Sequence, residues 1–394
     1  MAKPKLALIP ASQGSKLFSV LPSSGVGDFD FTRDTIATRI NSQGLIEEVD
    51  DGVSRLNYPM IDGKVVGCPH HILEPARTNL IINSQKISLT PTKAGTYTDN
   101  FAISPDGTLN ATKLTATSTD PYFYQNISYS AASYTASIYI KGIGNSVGKD
   151  FQIRLASNIY TDVIPSEWTR FEYTVTMPSG ASNIGVEIPN PAVIGDEVLV
   201  WGWQLEEGSF ATSYIPTNGS TVTRSAETAN GSGDAATFND SEGVLMAEIS
   251  ALDSESTNKM ITISNGSNST RILIRYVGTT LLAQLRISGA NQYEFGYDPT
   301  NIKDNFKIAI KYKANDFSFF VNGFELDSSN SGSTFSDGTL TELAFDDGGG
   351  SNDFYGNTKQ VQYYNSALTD SELEQLTSWT SFTDMAEGQL YTIE

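Results

Sequence analysis

A side-chain alternation of period two recurs in strand-length runs along almost the whole chain, and nothing else constrains the fold as strongly. Residues 134–141, 151–155, 168–175, 184–188 and 306–312 carry it most clearly. Successive side chains on a pleated ribbon point to opposite sides, so each run predicts a strand that buries one face. Turn residues separate the runs. Ser104-Pro105-Asp106-Gly107 combines a proline that presets φ with a glycine that tolerates positive φ. Asn322-Gly323 suits a two-residue hairpin joining 317–321 to 324–326. A short helix is read over 368–376, capped by Thr369 or Asp370. The prediction is an all-β protein of two tandem jelly-roll β-sandwiches, preceded by a short β-rich N-terminal region.

With 394 residues the chain exceeds the roughly 250–300 that one core sustains. Residues 1–83 contain only short strand candidates, each burying too little to stand alone. They read as an attachment and oligomerisation region packed on a neighbouring module or on partner subunits. Residues 84–226 read as the first sandwich and 241–377 as the second. Residues 227–240, rich in Ala, Gly, Ser and Asn, read as a linker, and 378–394 as a C-terminal tail. The run 201–224 is read as the last strand of the first sandwich, up to Leu205, followed by an extended exit segment.

Acidic residues outnumber basic ones by 45 to 25, for a net charge of −20. That balance repels phosphate backbones and anionic membrane surfaces, so nucleic acid is not an expected partner. No apolar run approaches the roughly 18–20 residues of a membrane span, so no membrane insertion is expected. Pro10 interrupts the first apolar stretch before it reaches the length of an export signal, which points to synthesis in a cytoplasm. A single cysteine, Cys68, excludes an intrachain disulfide.

A glucanase-like hydrolase would present strand carboxylates at i, i+2 and i+4, and no such wording occurs, so the expectation is a protein that is not an enzyme. The two histidines, His70 and His71, are neighbours and face opposite ways in an extended chain, which makes them a poor zinc pair and suggests structural roles. No cofactor is required, but calcium is compatible with two loops. One contains Asp346, Asp347 and Asp353; the other set is Asp99-Asn100 and Asp106 with Glu206 or Glu207. Aromatic rings can hold the apolar face of a sugar. The candidates are Tyr122, Tyr124 and Tyr160 in the first sandwich, and Tyr293, Tyr297 and Tyr355 in the second. Tyr122 and Tyr124, beside Asp120-Pro121 at a loop edge, are preferred. Trp201 and Trp203 are read as sharing one face of their strand, in the core.

The wording of 29–40, 44–49, Arg55-Leu56-Asn57-Tyr58 and 68–80, together with 201–224, resembles fibre and spike proteins of tailed bacteriophages. Members of that family often carry leucine where His70 and His71 stand. The first sandwich resembles a carbohydrate-binding module. The second resembles laminin-G and concanavalin-A-like jelly rolls in Lys311-Tyr312, Val321-Asn322-Gly323 and Tyr364-Asn365-Ser366-Ala367-Leu368-Thr369-Asp370. The resemblance implies a virion structural protein, commonly a homotrimer, joined to other virion proteins through its N-terminal region. It also implies weak, multivalent binding of a host surface glycan. A receptor-polysaccharide depolymerase and a secreted bacterial adhesin are the alternatives.

Overall fold

A computed structural model describes residues 2–13, 15–61, 63–255 and 257–379. Most of the expected tail, 380–394, lies outside the described residues. The chain forms two compact units: one of residues 35–48 and 76–225, the other of the described residues among 1–34, 49–75 and 226–394. No helix among the described residues is long and apolar enough to cross a membrane.

In the first unit two five-stranded antiparallel sheets enclose a core. One sheet runs Thr92–Ala94, Tyr122–Tyr129, Gly180–Glu187, Asp150–Leu155, Asn158–Val163. The other runs Thr96–Ile103, Leu109–Thr115, Glu197–Glu207, Ala132–Ile143, Thr169–Met177. The strands between Leu109 and Glu207 are interleaved in jelly-roll order. Phe123, Ile153 and Val186 meet Ile138, Val200 and Trp203 in the interior. The alternating runs therefore became strands, as expected from their period.

The two tryptophans do not share a face. Val198 and Val200 point into this core, and so do Trp203 and Leu205, while Trp201 leaves it to pack with Tyr214 and Ile46. The parity reverses because a β-bulge intervenes: Tyr139 pairs with Trp201, but Ser137 already pairs with Gln204. Gly202 sits in the bulge at φ +67°, where a Cβ would also press on Tyr139. Gly202→Ala is accordingly expected to cost this unit about 1–2 kcal/mol, measured by urea unfolding. An unchanged midpoint would mean that the bulge tolerates a side chain.

The second unit pairs an 11-stranded sheet with a five-stranded one. The large sheet runs Thr228–Asn230, Phe29–Thr32, Lys16–Leu21, Leu6–Gln13, Gly356–Tyr364, Glu242–Ala251, Phe306–Lys313, Phe317–Val321, Phe324–Ser329. Arg55–Asn57 and His70–Leu73 complete it beside Gly356–Tyr364. The facing sheet runs Ala290–Tyr297, Thr280–Ile287, Arg271–Val277, Lys259–Ser264, Glu342–Ala344. Asn322 and Gly323 turn their hairpin at φ 50° and 86°, the left-handed pair that a type I′ turn requires. Thr369 caps the helix Asp370–Thr377 in a reciprocal capping box with Glu372.

Two expected boundaries are corrected. Residues 1–83 do not stand apart as an attachment region: Leu6–Gln13, Lys16–Leu21, Phe29–Thr32, Arg55–Asn57 and His70–Leu73 satisfy their backbone groups by extending the large sheet, and 35–48 and 76–83 belong to the other unit. Residues 227–240 are not a linker. Thr228–Asn230 pairs with Phe29–Thr32, Phe238 enters the core, and the Asp240 carboxylate accepts from the backbone of Gly338 and Leu340. Small and polar residues there serve tight turns and buried hydrogen bonds, a use that composition does not separate from flexibility.

Candidate functional site: a tyrosine platform on the first unit

The strand Tyr122–Tyr129 alternates strictly. Phe123, Gln125 and Ile127 are buried, while Tyr122 and Tyr124 are half-exposed on the outer face. Their rings stack with centroids 4.6 Å apart and planes 20° from parallel. Across the ladder Tyr122 pairs with Glu187 and Tyr124 with Gly185. On the far side Gln152 and Arg154 pair with the same two residues. Directly paired residues share a face, so rings, carboxylate, guanidinium and amide meet on one surface.

The groups are wired together. The Tyr124 hydroxyl donates to Glu187 Oε1, and the Arg154 guanidinium lies 2.5 Å from the same carboxylate. Asn190 donates its amide to Glu187 Oε2 at 2.7 Å, and Arg154 reaches Gln152 Oε1 at 3.3 Å. A Cβ on Gly185 would collide with the Tyr124 ring and the Phe123 carbonyl, so glycine is what lets the ring lie across the neighbouring strand. Burial, followed by the bond to Glu187, pushes the Tyr124 phenol well above its ordinary value and keeps it a neutral donor. The result is a rigid two-ring slab edged by hydrogen-bonding groups, suited to stacking against an apolar ring face while bonding hydroxyls.

The other expected sugar contacts are placed differently. Tyr160 stacks on Tyr173 at 5.5 Å, packs against the core and donates to Asp162, which raises its phenol to about 12. Tyr293 is buried and stacks on Phe317 at 5.6 Å. Tyr297 and Tyr355 also pack on the second unit's core, and Tyr355 donates to Asp353 Oδ2 at 3.1 Å. In Ala290–Tyr297 the alternation turns Tyr293, Phe295 and Tyr297 inward together. No second platform arises there.

The expected calcium ligands serve their own loops. Asp347 accepts from Gly349 N at 2.8 Å, Ser351 N at 3.2 Å and Asn352 Nδ2 at 3.0 Å, and Asp346 accepts from Gly348 N at 2.6 Å. Burial, with Asp347 and Asp353 nearby, raises the Asp346 carboxyl to about 6. Asp106 holds the turn predicted around it, accepting from Thr108 N at 2.8 Å and Asn110 Nδ2 at 2.7 Å. Glu206 is fully buried and bonds Thr212 N at 3.0 Å and Gln204 Nε2 at 2.7 Å, whereas Glu207 is exposed. Among the described residues no group of three or more His, Cys, Asp or Glu could hold a metal ion.

A cleft of about 530 Å³ opens elsewhere in the same unit, lined by Arg77, Leu80, Tyr129, Tyr134, Glu207 and Thr223 among others. Tyr134 donates to Glu207 Oε2 at 3.2 Å, and the Arg77 guanidinium lies 5.2 Å from the Phe210 ring centre and against Gly208. Sequence reasoning named neither this cleft nor Glu187, Arg154 and Gln152. Alternation did place those three on the polar side of their strands, but not beside the tyrosines.

The chain is thus a two-unit antiparallel β-sandwich protein with an aromatic platform on its jelly-roll unit. No protein-family model matches it, and no curated protein matches it. Solved structures show partial likeness. The CBM40 of the Ruminococcus gnavus IT-sialidase, bound to α2,3 sialyllactose, is 16% identical over 36% of this chain and 84% of its own, with a TM-score of 0.31. A leech intramolecular trans-sialidase is 18% identical over 36% of this chain and 24% of its own, TM-score 0.31. The botulinum neurotoxin serotype G binding domain is 11% identical over 38% and 39%, TM-score 0.29.

Proposed function

We propose that the chain is a glycan-binding structural protein of a bacteriophage particle, which holds a host surface sugar on the Tyr122–Tyr124 slab without cleaving it. The observation that carries the binding reading is the wiring of Tyr124 through Glu187 to Arg154, which pre-orders rings and polar groups before any ligand arrives. The virion setting rests on the resemblance of 29–40, 44–49, 55–58, 68–80 and 201–224 to phage fibre and spike proteins. So does assembly as a homotrimer, in which weak single sites add up.

Glycan arrays probed with the whole protein test the binding reading. A bound glycan is expected, with Tyr122→Ala and Tyr124→Ala each weakening it about tenfold or more. Equal binding by both variants, or no glycan bound at multivalent display, would overturn the platform. The bound polysaccharide is expected to keep its chain length on prolonged incubation; shortening would make the protein a depolymerase. Immunogold labelling of virions is expected to decorate the particle, and an unlabelled particle would remove the phage setting.

A further inference from the structure

The second unit carries a cationic patch at odds with the chain's charge. In the five-stranded sheet, Ile272, Ile274, Leu281, Ala283 and Leu285 point into the core. The opposite face therefore takes Arg271, Leu273 and Arg275 from one strand, and Leu282, Gln284 and Arg286 from the next. Arg271 stands directly across from Arg286, Leu273 from Gln284, and Arg275 from Leu282. Like charges directly opposite one another destabilise a sheet, so this pairing is one that an anion would relieve. Against a net charge of −20, three guanidinium groups gather on the two adjacent strands of this face, with carboxylates only on the strands that flank them.

Their bonding is incomplete. Arg271 donates Nη1 to the Asp347 carbonyl at 2.6 Å, and Arg286 donates Nε to Asn291 Oδ1 at 3.0 Å. Arg275 has no hydrogen bond or ion pair among the described residues. The buried atoms Arg271 Nε, Arg275 Nε and Gln284 Oε1 lack partners, although Arg271 and Gln284 are only 5% and 3% exposed. Two carboxylates stand in register on the flanking strands: Glu294, across from Gln284, accepts from Gln284 and from Asn291 Nδ2 at 2.9 Å, and Glu342, across from Ser264, accepts from Gly231 N at 2.8 Å. Burial first, and then Arg286, hold the Arg271 and Arg275 guanidinium groups below their ordinary values against the opposing pull of Asp347 on Arg271 and of Glu294 on Arg275. Met260, Leu273 and Leu282 form a buried apolar floor between the charges.

We infer that this face binds an acidic polysaccharide, with Arg271 and Arg286 clamping one anionic group and Arg275 a second along the strand. Arg271 and Arg275 are four residues apart, about 13 Å, so the spacing fits a chain charged at successive repeats better than a single sugar. Guanidinium groups recognise carboxylate and sulfate alike through paired N–H donors. The site is independent of the tyrosine platform.

The test titrates the full chain with polygalacturonate, dextran sulfate, neutral dextran and oligo(dT) by calorimetry at low and moderate salt. Saturable, salt-sensitive binding to one or both acidic polysaccharides is expected, and which of them binds identifies carboxylate or sulfate as the recognised group. Neutral dextran is not expected to bind. Arg275→Ala breaks no bond in the fold and is expected to weaken binding about tenfold, with Arg275→Lys in between. Arg286→Gln, at the less buried member of the pair, is expected to weaken binding about tenfold as well, while the unfolding midpoint stays near that of the parent. Tyr122→Ala is expected to leave it intact. Failure of both acidic polymers to bind, equal binding by Arg275→Ala, or tighter binding of oligo(dT) would overturn the inference.

Discussion

Replacing Glu227 by alanine is expected to lower the stability of the second unit by about 3–5 kcal/mol. Its carboxylate is fully buried and accepts from Arg33 Nη1 at 2.7 Å, Arg55 Nε at 2.8 Å, Arg55 Nη2 and the backbone N–H of Glu74 at 2.9 Å. Arg55 also reaches Glu74 Oε2 at 2.8 Å, and Arg33 reaches the carbonyls of Val49 and Asp50 at 3.2 and 2.5 Å. Two buried guanidinium groups thus face two carboxylates. Removing Glu227 leaves two cations and one anion with no water to solvate them, a penalty that exceeds the net worth of the intact pairs. Burial works against the charge on Arg55, but Glu227 and Glu74 hold its guanidinium well above its ordinary range. Urea unfolding measures the loss. Lys16→Ala, at the exposed pair Lys16–Asp30 (3.0 Å), serves as control and is expected to change stability by less than about 1 kcal/mol. A Glu227→Ala value in the control's range would show the network to be dispensable.

The second unit is also expected to lose stability as pH falls below 6.5, with His71 as an identifiable cause. His71 is fully buried, its ring sits edge-on to Phe31 at 6.0 Å, and neither ring nitrogen has a hydrogen-bond partner among the described residues. Burial, with Arg55 and Arg33 adding to it against Glu227, lowers its folded-state value from 6.5 to about 4, and His70 falls to about 3. Between those values and 6.5 the unfolded chain binds protons that the folded chain refuses. Stability is therefore complete above 6.5 and declines by up to about 1.4 kcal/mol per pH unit for each histidine as pH falls. Asp346 acts with the opposite sign: its folded value of about 6 lies above the ordinary 3.8, so it adds stability as pH falls through 6 toward 3.8. Comparison with a His71→Phe variant isolates the histidine. That variant is expected to match the parent within about 1.5 kcal/mol at pH 7.5 and to lose less stability by pH 5. Parallel stability curves for the two proteins would show that His71 does not carry the effect.

Much of the architecture was legible without coordinates because one-sided burial writes itself into alternation. Phe317–Val321 is bounded to the residue by its own pattern, and Asn322-Gly323 names its own turn. Asn158–Val163 went unread, since a half-buried edge strand beside Asn and Asp carries a weak pattern. At the candidate site, Tyr122 and Tyr124 could be named from their place near a loop edge. Tyr293 had the same composition cue but packs inward, because the face that a residue takes depends on register against partners far away in the chain.

The sequence by itself determined the all-β class, the positions of most strands and their turns, and the acidic charge that sets expectations about partners. These are local or summed properties, set by steric preference and by side-chain chemistry one residue at a time. Tertiary structure alone decided that Gly202 reverses the parity between Trp201 and Trp203, and that Glu227, in a stretch with the composition of a linker, anchors two buried arginines. It also decided that Glu187 and Arg154 stand beside Tyr124, and that Arg271 faces Arg286. Each of those outcomes depends on which strands lie side by side and in what register, and that is settled by burying the whole core at once rather than by any segment's own pattern.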